Sequence, residues 1–548
     1  IDNYGTVNNE TGTLTNKGQI QNSSSSSILK NYASLVNDSL LINLGTCKVY
    51  RNATLTNNEK IQNNLKVVNY GTITNHKTYE SMNTSSFDNF YKIDNKNTGT
   101  MDTGTFNNKI INSSNEDNIN LSTIEGVIDN AGIINHKHNT FINSGRINNN
   151  GYFNNQATLN NDSLLISTSI FTNSSSLNNN RRITIDTSSE FKNWKTLNNT
   201  ATIDVKGLLL NKVVGSDTGE FTNNGNMTVQ TTGLIRNYAN LTNDENIIIL
   251  GEIKNYKTGV LTNKDNLTNK NTLNNYGNIT NTSSFINDTN GTLNNFNVIN
   301  NNTGGTLTSK NILINKETNA SNNDSVTLNG LTGTINITGV VNIDSGYLTN
   351  NGNLVPQTGG TLNIRTTVTN NKILSNTGLV IIYDSMLINN DNIYNYSSIR
   401  NYKVLQNDSM ITNSGTINNY NLIENKSTIT NNHLLINEPL NGYSAESVDT
   451  SNIYGFLNNN GLIKNESGTI TNKGKLTNNV TLGTITNNSN IINDSLLLNY
   501  GTLTNNSTFT NNNFVDNKYG GIVTNQSTIN NTATFNINGK LDNNINGT

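Results

Sequence analysis

The sequence has few of the residues that cross-link chains, carry charge or span membranes. It contains two prolines and one cysteine, Cys47, among 548 residues, so no intrachain disulfide can form. Charged residues make up 13% of the chain and the formal net charge is −2. The clustered Lys and Arg of a nucleic-acid-binding surface are missing, so we expect no nucleic-acid partner. There is also no apolar run of about 18 residues, so we expect no membrane-spanning helix.

Hydrophobic residues are scarce as well, at 32% of the chain. Globular proteins usually have about 45–50% apolar residues. A chain this polar is either disordered, because it cannot offset the entropy of ordering, or a repeat protein in which neighbouring units cover a few apolar residues each. The spacing of the apolar residues decides between these two classes.

Apolar residues recur every six positions, and Asn follows two positions later. The longest uninterrupted run of apolar positions, which we predict to form the core, is Leu387, Ile393, Ile399, Leu405, Ile411, Ile417, Ile423, Ile429 and Leu435. The accompanying asparagines are Asn389, Asn395, Asn401, Asn407, Asn413, Asn419, Asn425, Asn431 and Asn437. Where the interval is eight, a Gly usually precedes the apolar residue, which indicates a widened corner. This regularity favours a repeat protein over disorder.

A period of six is too long for a helix and fits a short β-strand followed by a corner. Thr72, Ile73 and Thr74 illustrate the strand, with Ile73 inward and both threonines outward. Asn would form the corner, because it tolerates left-handed backbone geometry. Three such sides close a triangular coil of roughly 18–20 residues, and coils stack as parallel strands. We therefore predict one continuous all-β solenoid over residues 1–548.

The geometry gives Asn a second predicted role. Asn at one position of successive coils can form a ladder of amide hydrogen bonds along the stack. An unpaired, half-buried amide would be costly, so the ladder explains why Asn repeats at this position.

The phase weakens in five places, which we expect to be irregular or to form loops: residues 76–92, 110–127, 212–220, 314–334 and 438–456. The last segment contains Pro439 and is expected to leave one corner as a lateral loop. Insertions of this kind in repeat proteins often bind ligands, but an unselected surface bulge explains the segment equally well.

The repeat begins near Asn3 and still runs at Leu541, with no evident cap. The start at Ile1 leads us to expect a processed chain whose leader is gone. At about 19 residues per coil, the chain would make roughly 28 coils and a rod on the order of 130 Å. Uncapped ends predict either a piece of a longer chain or head-to-tail stacking of identical chains into a filament.

The segment from Leu273 to Ile279, Leu-Asn-Asn-Tyr-Gly-Asn-Ile, resembles the repeats of filamentous haemagglutinin-type surface proteins. The resemblance covers most of the chain in pattern, although the Asn content here is much higher and no secretion domain is evident. It implies a right-handed triangular β-helix, export, and a role as a stalk or adhesin. The strict six-residue spacing also resembles left-handed hexapeptide β-helices, but parallel crossovers are overwhelmingly right-handed.

The sequence predicts no catalytic, metal or cofactor site. His136 and His138 could supply two metal ligands, but a site needs three or four. Cys47 falls on an inward phase and is interpreted as a small buried residue. Acidic residues are scattered at corners in the sequence Asn-Asp-Ser, where they are best explained as turn residues; these are Asp38, Asp162, Asp408 and Asp494. A polysaccharide-degrading β-helix enzyme is therefore the least favoured function.

Three further patterns have both a functional and a structural explanation. Thr-x-Thr, as at Thr502 and Thr504, is typical of ice-binding faces when it repeats on one side, but its spacing here is irregular. Tyrosines in Asn-Tyr-Gly could stack on sugars or simply on neighbouring corners. Asn-x-Ser/Thr sequons are frequent and include Asn37, Asn52, Asn161 and Asn240, as an Asn-rich composition would produce.

Together these features predict an extracellular or cell-surface structural protein that forms a fibre by self-association. The partner we expect is another copy of the chain. An adhesin stalk that binds surface glycans through lateral loops is the alternative.

Overall fold

The structure, a computed structural model, contains only β-strands as regular elements in the part of the chain that it describes. The described residues are 1–81, 85–96, 100–103, 105–108, 110–111, 124–137, 139–215, 219–302, 305–315, 317–318, 331–332, 334–343, 347–437, 456–479, 483–544 and 547–548. Over these ranges, no helix with the length and apolarity to cross a membrane is found.

Nearly every strand has four residues and one burial pattern. The first and third side chains point outward, the second is a buried apolar residue, and the fourth is buried and most often Asn. In Thr416–Asn419, for example, Ile417 is 1% exposed and Asn419 is 0% exposed. The alternation follows from strand geometry, because successive side chains point to opposite sides. Both inward positions are therefore covered by neighbouring coils.

The chain divides into two compact units, Ile1–Leu267 and Thr268–Thr548, and each is a parallel β-solenoid with three faces. In the first unit, the strands of face one are Asp2–Asn3, Gln19–Asn22, Leu40–Asn43, Lys60–Asn63, Thr78–Ser81, Thr100–Thr103, Ile133–His136, Tyr152–Asn155, Ile170–Asn173, Glu190–Asn193, Leu208–Asn211, Leu234–Asn237 and Glu252–Asn255. The strands of face two are Thr6–Asn9, Ile28–Asn31, Thr46–Val49, Lys66–Asn69, Ser86–Asn89, Thr105–Asn108, Thr140–Asn143, Thr158–Asn161, Ser176–Asn179, Thr196–Asn199, Glu220–Asn223, Asn240–Asn243 and Val260–Asn263. The strands of face three are Thr13–Asn16, Ser34–Asn37, Thr54–Asn57, Thr72–Asn75, Lys92–Asn95, Val127–Asn130, Arg146–Asn149, Leu164–Ser167, Arg182–Ile185, Thr202–Val205, Asn226–Val229 and Asn246–Ile249.

The second unit repeats the arrangement, and strand Asn266–Asn269 spans the boundary between the units. The strands of its face one are Thr272–Asn275, Thr292–Asn295, Ile312–Asn315, Tyr347–Asn350, Thr367–Asn370, Met386–Asn389, Val404–Asn407, Leu422–Asn425, Phe456–Asn459, Lys475–Asn478, Leu496–Asn499, Phe514–Asn517 and Thr534–Ile537. The strands of face two are Asn278–Asn281, Val298–Asn301, Thr334–Ile337, Asn353–Pro356, Ile373–Asn376, Asn392–Asn395, Met410–Asn413, Thr428–Asn431, Leu462–Asn465, Thr484–Asn487, Thr502–Asn505, Ile522–Asn525 and Lys540–Asn543. The strands of face three are Ser284–Asn287, Thr306–Ser309, Val340–Ile343, Thr361–Ile364, Leu379–Ile382, Ser398–Asn401, Thr416–Asn419, Leu434–Asn437, Thr469–Asn472, Asn490–Asn493, Thr508–Asn511 and Thr528–Asn531.

Strands of one face pair in parallel and in register, so each inward position forms a column along the unit. In the second unit, Leu387 pairs with Leu405, which pairs with Ile423. In the first unit, the rings of Phe171 and Phe191 stack with centroids 4.6 Å apart and planes 5° from parallel. The predicted all-β parallel solenoid with three sides per coil is therefore confirmed. The handedness of the coil stays a prediction.

Two of the segments predicted to be irregular carry pairs of antiparallel strands that lie outside the three faces. Ile110–Ile111 pairs with Ile124–Glu125 in the first unit, and Glu317–Thr318 pairs with Leu331–Thr332 in the second. Each pair interrupts the path between two successive parallel strands at a corner, after Asn108 and after Asn315 respectively.

The other three segments differ from one another. Within 76–92, the described residues belong largely to parallel strands, including Thr78–Ser81 and Ser86–Asn89. Within 212–220, residues 212–215 and 219 lie between two strands and Glu220 begins the next one. Of 438–456, only Phe456 belongs to the described residues, and it begins a strand of face one.

Candidate functional site: the asparagine ladders

The buried asparagines form hydrogen-bonded columns, which we call the asparagine ladders. The Asn389 amide shows the arrangement: its Nδ2 donates to Oδ1 of Asn407 in the next coil at 2.8 Å and to the backbone carbonyl of Met410 at 3.0 Å. It also lies 2.9 Å from the carbonyl of Asp391 at its own corner. Because Nδ2 has only two hydrogens, one of them is shared between two acceptors. Each ladder amide therefore connects its own coil and corner to the next coil and to the corner of that coil.

All nine predicted ladder asparagines, Asn389 to Asn437 at intervals of six, are 0% exposed, and the nine predicted core residues are at most 1% exposed. They belong to three columns, one on each face, as the six-residue spacing requires. The coil-to-coil amide distances within the run include 2.6 Å from Asn395 to Asn413 and 2.7 Å from Asn401 to Asn419. The sequence-predicted ladder is thus present in the structure.

The ladder continues past the segment 438–455. Asn425 donates to Asn459 at 2.8 Å, although 34 residues separate them in sequence, and Asn437 donates to Asn472 at 2.9 Å across 35 residues. Elsewhere in the run the separation is 18 residues, as for Asn407 and Asn425. The columns on either side of this insertion therefore join in the regular register.

One part of the sequence interpretation is wrong. We expected Asn to be chosen for a left-handed corner, with its side chain half-buried. In the described residues, the only non-glycine residues with positive φ are Asn52 at 67° and Asn139 at 61°, and neither is a ladder residue. Ladder asparagines are instead the last residues of extended strands and are buried almost throughout. Their amide chemistry, rather than their backbone preference, explains the repetition.

Some columns contain other residues at the ladder position. His136 is 0% exposed there, with Nε2 3.1 Å from the carbonyl of Thr158, the acceptor that a ladder Asn would use, and Nδ1 3.4 Å from Oγ1 of Thr103. Its neighbour His138 lies outside the described residues. No group of three or more His, Cys, Asp or Glu that could hold a metal was found in the described part of the chain.

Two serines occupy ladder positions where an asparagine column gives way to aliphatic residues. In the first unit, Asn149 Nδ2 lies 3.2 Å from Ser167 Oγ, which is 3.2 Å from the carbonyl of Ser169. In the second unit, Asn287 Nδ2 lies 3.1 Å from Ser309 Oγ. Each hydroxyl accepts from the last amide and donates to its own corner, so serine terminates the ladder. The sequence already held this signal, as Ser in phase with Asn at the start of an aliphatic run.

Cys47 lies inward on face two of the first unit and is 1% exposed. Burial raises the pKa of its thiol to about 12. The thiolate is the reactive form of cysteine, so this residue is an unreactive part of the core, as the sequence predicted.

Polar corner residues form a second set of contacts between coils. Nδ2 of Asn58 donates to Asp38 at 2.7 Å, and Nδ2 of Asn180 donates to Asp162 at 2.6 Å. The acceptor in each pair is one coil earlier in the sequence, so these exposed amides donate in the direction opposite to the buried ladders. The corner aspartates therefore pair along the stack. This arrangement agrees with the turn role inferred from the sequence.

Corner aromatic residues also stack between coils. Tyr32 and Tyr50 have ring centroids 4.0 Å apart, and so do Tyr238 and Tyr256. Of the tyrosines in Asn-Tyr-Gly, Tyr70 stacks on Phe90 and Tyr276 on Phe296, with ring centroids 4.9 and 4.6 Å apart. Packing along the stack explains these two tyrosines. The Thr-x-Thr pairs lie on different faces, with Thr469 on face three and Thr502 on face two, so they do not form one array.

Three insertions share a length and a sequence pattern that the six-residue period does not reveal. Residues 109–126, 316–333 and 438–455 each replace a short corner with 18 residues. Counted from the first residue of each, position 4 is Asn, position 9 is acidic, position 11 is Ile or Val, position 16 is Ile or Leu, and position 18 is Gly. In the order of these positions, the residues are Asn112, Asp117, Ile119, Ile124 and Gly126; Asn319, Asp324, Val326, Leu331 and Gly333; and Asn441, Glu446, Val448, Ile453 and Gly455.

The strand pairing in two of these insertions gives the same alignment as their sequences. Positions 3 and 16 pair in the antiparallel strands of both, as Ile111 with Ile124 and as Thr318 with Leu331. The same register in two insertions of equal length indicates that they are copies of one module. Aligning the insertions with one another, rather than with the six-residue repeat, would have revealed the module from sequence.

In comparisons with known proteins, no family model, no curated protein and no solved structure matches this chain.

Proposed function

We propose that this chain is a structural protein, exported to the cell surface or beyond, that builds a fibre by stacking its solenoids end to end. The observation that supports this most is the one-way asparagine ladder. In every coil joined by it, Nδ2 faces the following coil and Oδ1 faces the preceding one, as in Asn389, Asn407 and Asn425. A coil of this kind is complementary to another copy of itself.

The contacts between coils also do not depend on one particular coil sequence. A new coil needs only apolar residues and Asn in phase with the coil beneath, because backbone bonds, amides and aliphatic columns repeat along each unit. The same contacts would join coils of two chains. A non-closing contact between two different surfaces extends indefinitely, which produces a fibre.

Electron microscopy of the purified chain at neutral pH tests the proposal. We expect filaments many chains long, with strands spaced at about 4.8 Å along the axis. In a purified chain of residues 1–548, Leu541 holds the inward position of strand Lys540–Asn543 and is 38% exposed. Leu541→Lys should therefore abolish the filaments of that chain by placing a charge where the next copy would stack. Thr534→Lys adds the same charge at an exposed position and should leave them intact. Separate single chains from the unaltered protein would overturn the fibre.

The second candidate is an adhesin that binds glycans through its lateral insertions. The shared pattern of the three 18-residue insertions favours it, because repetition of a module off the main stack is unnecessary for stacking. Replacing 438–455 by Lys-Gly, the corner that joins Asn472 to Lys475, should leave folding intact, since the ladder already bridges this segment. Loss of glycan-array binding in that variant would support the adhesin, and an array without binding to the unaltered chain would exclude it.

A further inference from the structure

The sequons of this chain fall into two structural classes. Asn37 and Asn161 are ladder residues and are 0% exposed. Asn52 lies exposed at the tip of a corner, and Asn240 is exposed at the outward first position of a strand on face two. The same three-residue signal therefore places its acceptor nitrogen in opposite environments.

In the ladder sequons, the acceptor nitrogen is fully used. Nδ2 of Asn37 lies 2.8 Å from Oδ1 of Asn57, 3.0 Å from the carbonyl of Lys60 and 3.0 Å from the carbonyl of Ser39. Ser39 is both the third residue of the sequon and part of the corner that the amide closes. Asn-x-Ser is thus the corner chemistry of the repeat, which explains why ladder sequons are so frequent.

Asn161 repeats this arrangement. Its Nδ2 lies 2.8 Å from Oδ1 of Asn179, 2.9 Å from the carbonyl of Arg182 and 3.2 Å from the carbonyl of Ser163. A sugar on this nitrogen would replace one of its two hydrogens and occupy space that the next coil fills. Glycosylation and coil formation at a ladder asparagine exclude each other.

The outward sequons have room for a glycan. The corner that carries Asn52 is closed by a backbone bond from Ala53 to Tyr50 at 3.0 Å, so it does not depend on the Asn52 side chain. Asn240 pairs in register with Glu220 on one side and Val260 on the other, and its side chain borders a shallow groove on the outer surface of face two. Thr54 and Thr242, which complete these sequons, also point outward.

We propose that Asn52 and Asn240 are acceptor sites for asparagine-linked oligosaccharide, and that the folded chain carries none at Asn37 or Asn161. In the transfer, Nδ2 loses one proton and bonds to the anomeric carbon of a lipid-pyrophosphate-linked oligosaccharide, while the bond from that carbon to the pyrophosphate breaks and the lipid pyrophosphate leaves. The ladder thereby sorts sequons into modifiable and structural ones.

The test is expression through a secretory pathway that performs N-glycosylation, followed by protease digestion to isolate the folded fraction and mass spectrometry of its glycopeptides. We expect glycans on Asn52 and Asn240 in the resistant fraction and unmodified Asn37 and Asn161. A glycan on either ladder residue in that fraction, or bare Asn52 and Asn240, would overturn the proposal.

Matched variants separate modification from folding. Thr54→Ala and Thr242→Ala remove the sequons of Asn52 and Asn240 but keep both asparagines, so the glycans on these two residues should disappear while protease resistance persists. Ser39→Ala and Ser163→Ala remove ladder sequons but keep the asparagines and the corner carbonyls, so the resistant fraction should rise. An unchanged resistant fraction in these two variants, together with ladder glycans in the sensitive fraction, would contradict the exclusion.

Discussion

Face three of the second unit contains two versions of the same buried column. Its ladder position is aliphatic at Ile343, Ile364 and Ile382, and it is asparagine in the coils that follow, at Asn401 and Asn419. All five side chains are 0% exposed and lie in parallel strands that pair in register. The fold therefore accepts either an apolar or a polar group at this depth.

Neighbouring residues of the column must match one another in polarity, whether they are apolar or polar. An amide at this depth is satisfied by the amide of the next coil, and a methyl group by the next methyl group. At the junction, Ile382 offers no amide to Asn401, and the backbone N–H of Lys403 lies 3.3 Å from Oδ1 of Asn401 instead. Whether a polar residue is stable at the ladder position therefore depends on the residues at that position in the adjacent coils.

The largest effect is expected from a charge inside the ladder. Asn419→Asp replaces the amide that donates to Asn437 at 2.7 Å and to the carbonyl of Phe456 at 2.8 Å. The carboxylate oxygen that replaces Nδ2 would face only these acceptors, while the other oxygen keeps the bond from Asn401. We therefore expect a loss of about 3–5 kcal/mol in the free energy of unfolding. Denaturant unfolding measures it.

The pH dependence of this variant has a defined sign. Burial raises the pKa of an introduced carboxyl, because the charged form is disfavoured. The variant should therefore be closest to the unaltered protein at acidic pH and lose stability as pH rises and the carboxyl ionises. Asn418→Asp, at the neighbouring outward position, is the control and should cost little; an equal loss in both variants would show that burial is not the cause.

The columns themselves show what sequence could predict. The apolar positions and the ladder asparagines from Leu387 to Asn437 follow from their period alone, because each strand allows two inward side chains and the corner fixes the interval. The satisfaction of each amide could not be predicted from its own strand. It depends on a residue about one coil away, as for Asn149 and Ser167, 18 positions apart. The three related insertions share their pattern with one another and not with the six-residue repeat, so the period of the repeat does not reveal them.

A single asparagine in the aliphatic column tests whether an amide is destabilising when its neighbours in the column are apolar. Ile364→Asn places an amide between Ile343 and Ile382, neither of which can bond to it, so we expect a loss of about 2–4 kcal/mol. Changing all three isoleucines to Asn should cost less than three times the single loss, because the new amides pair with one another. Additive losses in denaturant unfolding would refute the idea that consistency decides stability.

The serine terminator should have a smaller effect. Ser309→Ala removes the hydroxyl that lies 3.1 Å from Asn287 Nδ2 and 3.2 Å from the carbonyl of Asn311. We expect a loss of about 1–3 kcal/mol, since an amide and a carbonyl each lose a buried partner. Ser284→Ala, at an outward position one coil earlier, should change the unfolding free energy by much less. Equal values would mean that Ser309 does not terminate the ladder.

The smallest effect, and the only one expected to stabilise, is Val49→Asn in the first unit. Val49 is 0% exposed and pairs in register with Asn31 on one side and Asn69 on the other, so it separates two ladder asparagines. An amide there would find an acceptor and a donor already in place. We expect a gain of about 0.5–1.5 kcal/mol in the free energy of unfolding, the usual net value of a buried hydrogen bond. The same type of exchange, aliphatic to Asn, would then destabilise at Ile364 and stabilise at Val49, which burial alone cannot explain. Losses of equal size at both positions would mean that the cost of burying an amide outweighs the ladder even when its partners are present.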